Sequence, residues 1–262
     1  MVSHDEIDAV TRTWRQGDFT LTQTCIYRLS GPPNSGEIKE SPVRGLAVLT
    51  NTCDIVRTSR DRPYIEVCAL FDWPADRAKE MIRVRRGLFR RYAYVPGAAD
   101  LALVADLEQT MTVEKSILTT WKQSQGCVSD EERREFSRVV GQKRARPAFR
   151  DEFSGVARPL RDWLDTVGKS GRRTNVELDW FREIRVLATP DWNADSIELF
   201  FLFILSDDSP AFDEGLFLQE FEEFVRPVGP FVSVSGMVYQ LADLRADEFV
   251  YSDRLEYDDL SL

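Results

Sequence analysis

The sequence predicts an α+β protein with a β-rich, barrel-like N-terminal part, a helical connector and a mixed β-β-α-β C-terminal part. Three observations predict it. Short alternating or apolar runs bounded by Gly, Pro, Asn and Asp recur through the first hundred residues. A capping signature and a helix-period apolar stripe occupy the middle. Two strand-like runs, an amphipathic helix and one more strand-like run fill the last ninety. The boundaries read as 1–108, 109–174 and 175–262.

Gln16-Gly17-Asp18 is a turn feeding an alternating stretch from Phe19 to Leu29, and Gly31-Pro-Pro-Asn-Ser-Gly36 is a further turn. Gly45-Leu-Ala-Val-Leu-Thr50 is almost continuously apolar, as a central strand is, and Pro63 to Leu70 is the next strand. Pro74 to Arg83 reads as a helix with proline near its start. Phe89–Val95 and Leu101–Leu107 read as a hairpin about Pro96-Gly97. Ser129-Asp-Glu-Glu132 is a capping box opening a helix to about Val140. A second helix begins near Pro147, with Phe149, Phe153, Val156, Leu160, Trp163, Leu164 and Val167 on one face, Pro159 as a kink and Gly168 near its end. The Gly-Lys-Ser-Gly-Arg-Arg run at 168–173 is a flexible connection. Strands follow at Glu183–Thr189 and Ser196–Leu205 around a Pro190-Asp-Trp-Asn193 turn. A helix from Phe212 to Val225 turns Phe212, Leu216, Phe217, Phe221, Phe224 and Val225 inward, and Phe231–Gln240 is the last strand. From Asp243 the chain reads as an acidic tail anchored by Tyr251, Leu255, Tyr257 and Leu260.

Composition narrows function. At 262 residues the chain can bury roughly 75% of its unfolded surface without a staple. Its 43% apolar and 30% charged residues exclude collagen-like, coiled-coil and wholly disordered classes. No apolar run is long enough to span a bilayer, and the acidic start Met1-Val-Ser-His-Asp-Glu lacks the apolar core of a signal peptide. The expectation is a cytoplasmic protein with no membrane association. His4, the only histidine, sits where chains fray, so Ser–His and Cys–His pairs are disfavoured. Cys25, Cys53, Cys68 and Cys127 show no Cys-x-x-Cys spacing and read as reduced thiols, so no metal site is expected. Neither a dinucleotide fingerprint nor a phosphate loop is present, and no cofactor is expected.

Charge is unevenly spread. Residues 206–262 hold 14 acidic side chains and 3 arginines, against 30 and 31 in the rest, so the net −10 belongs to the last fifth. This stretch reads first as a solvated acidic face, and otherwise as a dock for a basic partner or for the chain's own basic clusters. Those clusters are Arg83, Arg85, Arg86, Arg90, Arg91 and Lys143, Arg144, Arg146, with Arg150 close by. They are the candidates for contacting a partner or nucleic-acid phosphates. The tryptophans are not interleaved with them in sequence, which favours core or interface roles over base stacking.

The most unusual segment is Leu49-Thr-Asn-Thr-Cys53-Asp54-Ile-Val-Arg57, where a buried strand runs into a polar cluster. Cys53 as a thiolate near Arg57 or Arg60, or Asp54 as a base, is the chemical reading. The structural reading has Thr, Asn and Asp capping a turn while Cys53 fills space. Asp18 with Glu37-Ile-Lys39 echoes a metal-dependent nuclease pattern, but Glu37 reads as loop rather than core strand. Asp207, Asp208, Asp213 and Glu214 read as acids favouring a helix start.

Gln16-Gly17-Asp18 followed by Arg44-Gly-Leu-Ala-Val-Leu-Thr-Asn51 resembles the start of the SH3-like barrel of PemK/MazF-type toxins. Proteins of that family are sequence-selective ribonucleases or inhibitors of topoisomerases, and the resemblance implies an endoribonuclease with Arg44 and Thr50 as the nearest equivalents of its catalytic arginine and threonine. The Leu49–Arg57 segment, Arg146-Pro-Ala-Phe-Arg-Asp and the terminal Ser252-Asp-Arg-Leu together are similar to a bacterial family of mobile-element and defence gene clusters with a Ser/Thr-Gln/Asn-x-Cys-Asp signature. It implies a context, with another protein of the same cluster as partner, and no activity. The expected function is a non-catalytic protein-interaction or regulatory component of a bacterial conflict system. The alternatives are the barrel-type ribonuclease, using Arg44, Thr50 and Asp54, and a Cys53-dependent enzyme.

Overall fold

The computed structural model describes residues 2–32, 36–145, 149–166, 174, 176–177 and 180–255. The chain is α+β and divides into two units, Met1–Arg146 and Pro147–Leu262. The stretch 109–174, expected as a connector, is shared between them because each of its helices has its own core to cover.

The first unit opens with helix α1 (His4–Thr11), capped by a Ser3/Glu6 box. Its strands are β1 (Phe19–Thr20), β2 (Cys25–Ser30), β3 (Glu37–Pro42), β4 (Gly45–Val48), β5 (Tyr64–Asp72), β6 (Tyr92–Tyr94) and β7 (Leu103–Glu114). The helices between and after them are α2 (Thr52–Ile55), α3 (Met81–Arg85) and α4 (Asp130–Arg144). Five strands form one antiparallel sheet in the order β1-β4-β5-β7-β6, while β2 and β3 make a separate two-stranded ribbon. Among the described residues the larger sheet is open, with β1 and β6 at its edges.

Alternation along the strands gives this sheet two buried faces. Ala47, Leu49, Cys68, Leu70, Ala93 and Ala105 share a core with Phe136, Val139 and Val140 of α4. Leu46, Val48, Ile65 and Val67 pack instead with Trp14, Leu118 and Trp121. The capping box starts α4 as the sequence predicts, with Ser129 accepting from the Glu132 amide and Glu132 accepting from that of Ser129. The alternating run from Phe19 breaks at Thr22-Gln-Thr into two strands in different sheets. The Pro96-Gly97 connection between β6 and β7 is a 3-10 helix, Pro96–Leu101.

The second unit holds α5 (Ser154–Thr166), β8 (Phe181–Thr189), β9 (Ile197–Leu205), α6 (Glu214–Phe224), β10 (Phe231–Tyr239), α7 (Ala246–Tyr251) and β11 (Asp253–Leu255). The sheet order is β10-β9-β8-β11, with β10 parallel to β9 and the other pairs antiparallel. A parallel neighbour needs a crossover, and α6 supplies it. Phe153, Leu160 and Trp163 from the α5 side, Phe217 and Phe221 from α6, and Phe201 and Phe203 from β9 build one aromatic-rich core. Pro159 lies within α5. Asp213 caps α6, accepting from the Leu216 amide. Phe224, expected inside, is exposed, because it falls at the last position of the helix. Val167, Gly168 and the 168–173 run lie outside the described residues.

The expected acidic tail is folded as far as Leu255. Strand β11 pairs with β8, and Leu255 is buried while Tyr251 is exposed. The two strands place Arg185 opposite Arg254 with Glu183 between them, at 3.7 and 3.6 Å. Burial lowers the pKa of Arg185, which donates to Ser252 Oγ at 2.8 Å and lies over the Phe249 ring. The acids counted from sequence as a solvated stretch therefore include one strand residue, Asp253, and one buried helix residue, Glu220. Tyr257 and Leu260 lie outside the described residues.

Candidate functional site

The Thr50–Arg57 segment leaves the end of β4 and turns through α2. Leu49 and Thr50 donate their amides to the Glu66 carbonyl, and the Thr50 hydroxyl accepts from the Glu66 amide at 2.7 Å. Thr50 thus prolongs the β4–β5 pairing by one residue. The Thr52 hydroxyl accepts from the Gln16 amide, and Gln16 Nε2 donates to the Leu49 carbonyl at 2.8 Å. Ser137 of α4 donates to the other end of the same amide. Asp54 faces Arg57 at 3.7 Å, with both side chains largely solvated. Cys53 is exposed.

Beneath this turn lies Lys115, which is fully buried. Its ammonium donates to the Asp54 carbonyl at 2.9 Å and the Arg57 carbonyl at 2.8 Å, capping the end of α2 from inside the unit. Burial lowers its pKa, opposed by Asp8 and Asp54. Nearby, His4 Nδ1 lies 2.7 Å from Ser59 Oγ, and the Ser59 amide donates to Asp8. That amide holds the Asp8 carboxyl below its ordinary range. His4, expected to fray, starts a capped helix instead.

The two residues matched to a catalytic pair are not brought together. Arg44 precedes β4 and Thr50 follows it, so a rise of roughly 3.3 Å per residue sets them about 20 Å apart. Arg44 pairs with Asp72 at 3.3 Å, and both are exposed. What the fold does unite is the two stretches carrying the resemblance. Gly17 donates its amide to the Val48 carbonyl and Val48 donates to that of Asp18. The buried Asp18 carboxylate accepts from the Arg15 and Gly126 amides and from Gln123 Nε2. A Cβ on Gly126 would stand 1.8 Å from the Gly17 carbonyl oxygen, so only glycine fits there. Asp18 is consequently occupied. Glu37 and Lys39 lie on β3, a strand rather than the expected loop, but both are exposed there and neither lies on a core strand.

The basic clusters are partnered within the first unit. Arg91 reaches Asp106 at 2.9 Å and Glu108 at 3.5 Å. Lys143 pairs with Glu108 at 3.1 Å, and Arg144 pairs with Glu66. Burial would raise the Asp106 pKa, but Arg91, Gln109 and the Glu108 amide outweigh it and lower it. Arg85 lies over Tyr94, Arg91 over Tyr92 and Arg77 over Trp73. These arginines are thus stacked on aromatic rings near them in the chain, Arg91 on its own neighbour and Arg85 on a ring nine residues on. None of Arg83, Arg86 and Arg90 is free, and Arg146 lies outside the described residues.

Sequence reasoning missed the ribbon. Leu29 and Ile38 are register partners on it and are 79% and 76% exposed, with Tyr27 two residues away on the same face. The signal was available: a Gly-Pro-Pro-Asn-Ser-Gly turn flanked by runs of strand length is a hairpin pattern. Lys115 carried no such signal. Among the described residues no group of three His, Cys, Asp or Glu is placed to hold a metal, and no helix is long and apolar enough to cross a membrane. No protein-family model matches the chain, and no curated protein matches it. Fold and geometry define a two-unit α+β protein whose chemistry-bearing residues are largely engaged in its own architecture.

Proposed function

We propose that this chain is a non-catalytic protein-interaction or regulatory component of a cytoplasmic bacterial conflict system, recognising another protein of its gene cluster. In this reading the five-stranded sheet of the first unit is the counterpart of an SH3-like barrel. The observation that carries the reading is the pair Leu29 and Ile38, held opposite each other and exposed on the ribbon. Apolar side chains grouped on a surface mark interaction sites more often than isolated ones do. Support comes from Thr50, which extends the strand pairing, and from Asp54 and the basic clusters, which make ion pairs inside the unit.

Leu29→Asp/Ile38→Asp tests it. The double variant keeps the wild-type far-UV spectrum and melting temperature, because neither side chain is buried, and loses a stoichiometric protein partner in tagged purification. Retention of that partner overturns the role of the ribbon. A second reading, the PemK/MazF-like ribonuclease, draws on the union of the Gln16-Gly17-Asp18 turn with β4. It requires RNA cleavage that Thr50→Val or Arg44→Ala abolishes.

A further inference from the structure

Exposed strand edges recruit further strands, and folds blunt them with shortness, charge or proline. Among the described residues β1 has two residues, β6 three and β11 three including Asp253 and Arg254. In the ribbon, β2 carries Arg28, and β3 carries Glu37, Lys39, Glu40 and Pro42. Strand β10 has none of these three, and its one irregularity is a register shift between Phe231 and Ser233 at its start. It runs nine residues, Phe-Val-Ser-Val-Ser-Gly-Met-Val-Tyr, without charge or proline. One side pairs with β9 along nearly its whole length, and no described strand pairs with the other. In such a strand alternate backbone N–H and C=O groups point away from the neighbour. Val232 (56% exposed) and Met237 lie along it, and Leu241 is exposed just beyond.

We infer that β10 is a self-association edge, pairing antiparallel with β10 of a second copy across a two-fold axis centred on Ser235 to join two four-stranded sheets into one of eight. The pairing sets Val234 opposite the second copy's Gly236 and Ser233 opposite its Met237, within the stretch from Ser233 to Tyr239 whose register is unbroken. No charge meets a like charge within the strand pair. A two-fold uses the same edge on both copies, matches it in length and leaves no β10 edge open, so the assembly closes as a dimer. Nine residues a side is well short of the roughly 20–30 of a standard interface, which makes the dimer a weak one, with a dissociation constant on the order of micromolar. The second unit carries 24 acidic and 11 basic residues, net −13. Two copies repel through solvent, and salt relieves this as the screening length falls from about 30 Å at 0.01 M to about 8 Å at 0.15 M. Association therefore strengthens with ionic strength, opposite to the docking of a basic foreign strand. The inference is independent of the reading given to the ribbon.

The test uses the full chain with Cys25 and Cys53 replaced by serine. A two-fold at Ser235 brings its two copies to a Cα separation of about 4.5–5.5 Å, within disulfide range. Ser235→Cys is nearly isosteric and gives a disulfide-linked dimer on mild oxidation, whereas Ser233→Cys, opposite Met237, does not. By sedimentation velocity the serine-background protein shifts from monomer to dimer with concentration and more so with added salt, and Ser235→Lys weakens the dimer several-fold. A chain monomeric at every concentration with no Ser235→Cys dimer overturns the inference. So does cross-linking through Ser233→Cys alone, or association that salt weakens.

Discussion

Replacing Lys115 by methionine should cost the first unit about 1–3 kcal/mol. The ammonium is the donor to two carbonyls, Asp54 at 2.9 Å and Arg57 at 2.8 Å, inside a fully buried site. Leaving a buried acceptor unmade costs about 1–3 kcal/mol, so two such losses bound the effect near 6. Methionine conserves volume and ends the burial of a charge, which offsets part of that loss. For a unit of this size the net corresponds to a fall in Tm of roughly 3–9 °C. Urea unfolding followed through tryptophan fluorescence measures it. The pH dependence carries a separate signature. Burial lowers the Lys115 pKa in the folded state below its ordinary 10.5. Between the two values the unfolded chain holds the proton and the folded chain does not, so stability rises with pH across that window. Lys115→Met abolishes this rise. A variant as stable as wild type at neutral pH, or one keeping the alkaline rise, would refute the assignment of Lys115 as the inner cap of the Thr50–Arg57 turn.

Asp106→Asn removes an acceptor serving Arg91, Gln109 and the Glu108 amide and costs about 2 kcal/mol, discounted for the partly solvated Arg91. The Asp106 pKa is lowered on folding, so its stabilisation is present above the unfolded carboxyl value and lost as pH falls through the folded one. The Asn variant lacks that share of the acid loss in a pH series of urea melts. Thiol labelling under native conditions modifies Cys53 quickly and leaves Cys68 and Cys127 unmodified until unfolding, since burial pushes the Cys127 thiol up to about 12 and raises Cys68 as well. Truncation after Ser252 removes β11, buried Leu255 and the Arg254–Glu183 pair, and lowers the melting transition of the second unit by several degrees in calorimetry.

Much of the fold was legible because it rests on local rules. The Ser129–Glu132 box, the apolar stripe of α5 and the β-β-α-β order from Phe181 to Tyr239 all follow from capping and periodicity. The misreadings arose where tertiary pairing decides. Whether residues 243–255 are tail or strand depends on Arg254 and Leu255 finding β8, a contact about seventy residues away that composition cannot show. The break between β1 and β2 depends on which sheet each joins. For the candidate site, the segment Thr50–Arg57 was identifiable as unusual, but its hydroxyls serve neighbouring segments rather than the turn: Thr50 accepts from the Glu66 amide and Thr52 from the Gln16 amide, Asn51 makes no side-chain cap on α2, and Cys53 is exposed instead of filling space. The segment's main support, Lys115, was invisible because one lysine near the end of a strand has the same signature whether it is solvated or buried.

The role proposed for this chain is the binding of another protein. The measurement that addresses it most directly is purification of the tagged chain at endogenous expression from its native host, with co-purifying protein and RNA quantified together by mass spectrometry and nucleotide analysis. A protein-binding component brings down a protein partner at fixed stoichiometry and retains no RNA. A chain that comes out alone, or with RNA in place of protein, would contradict that role.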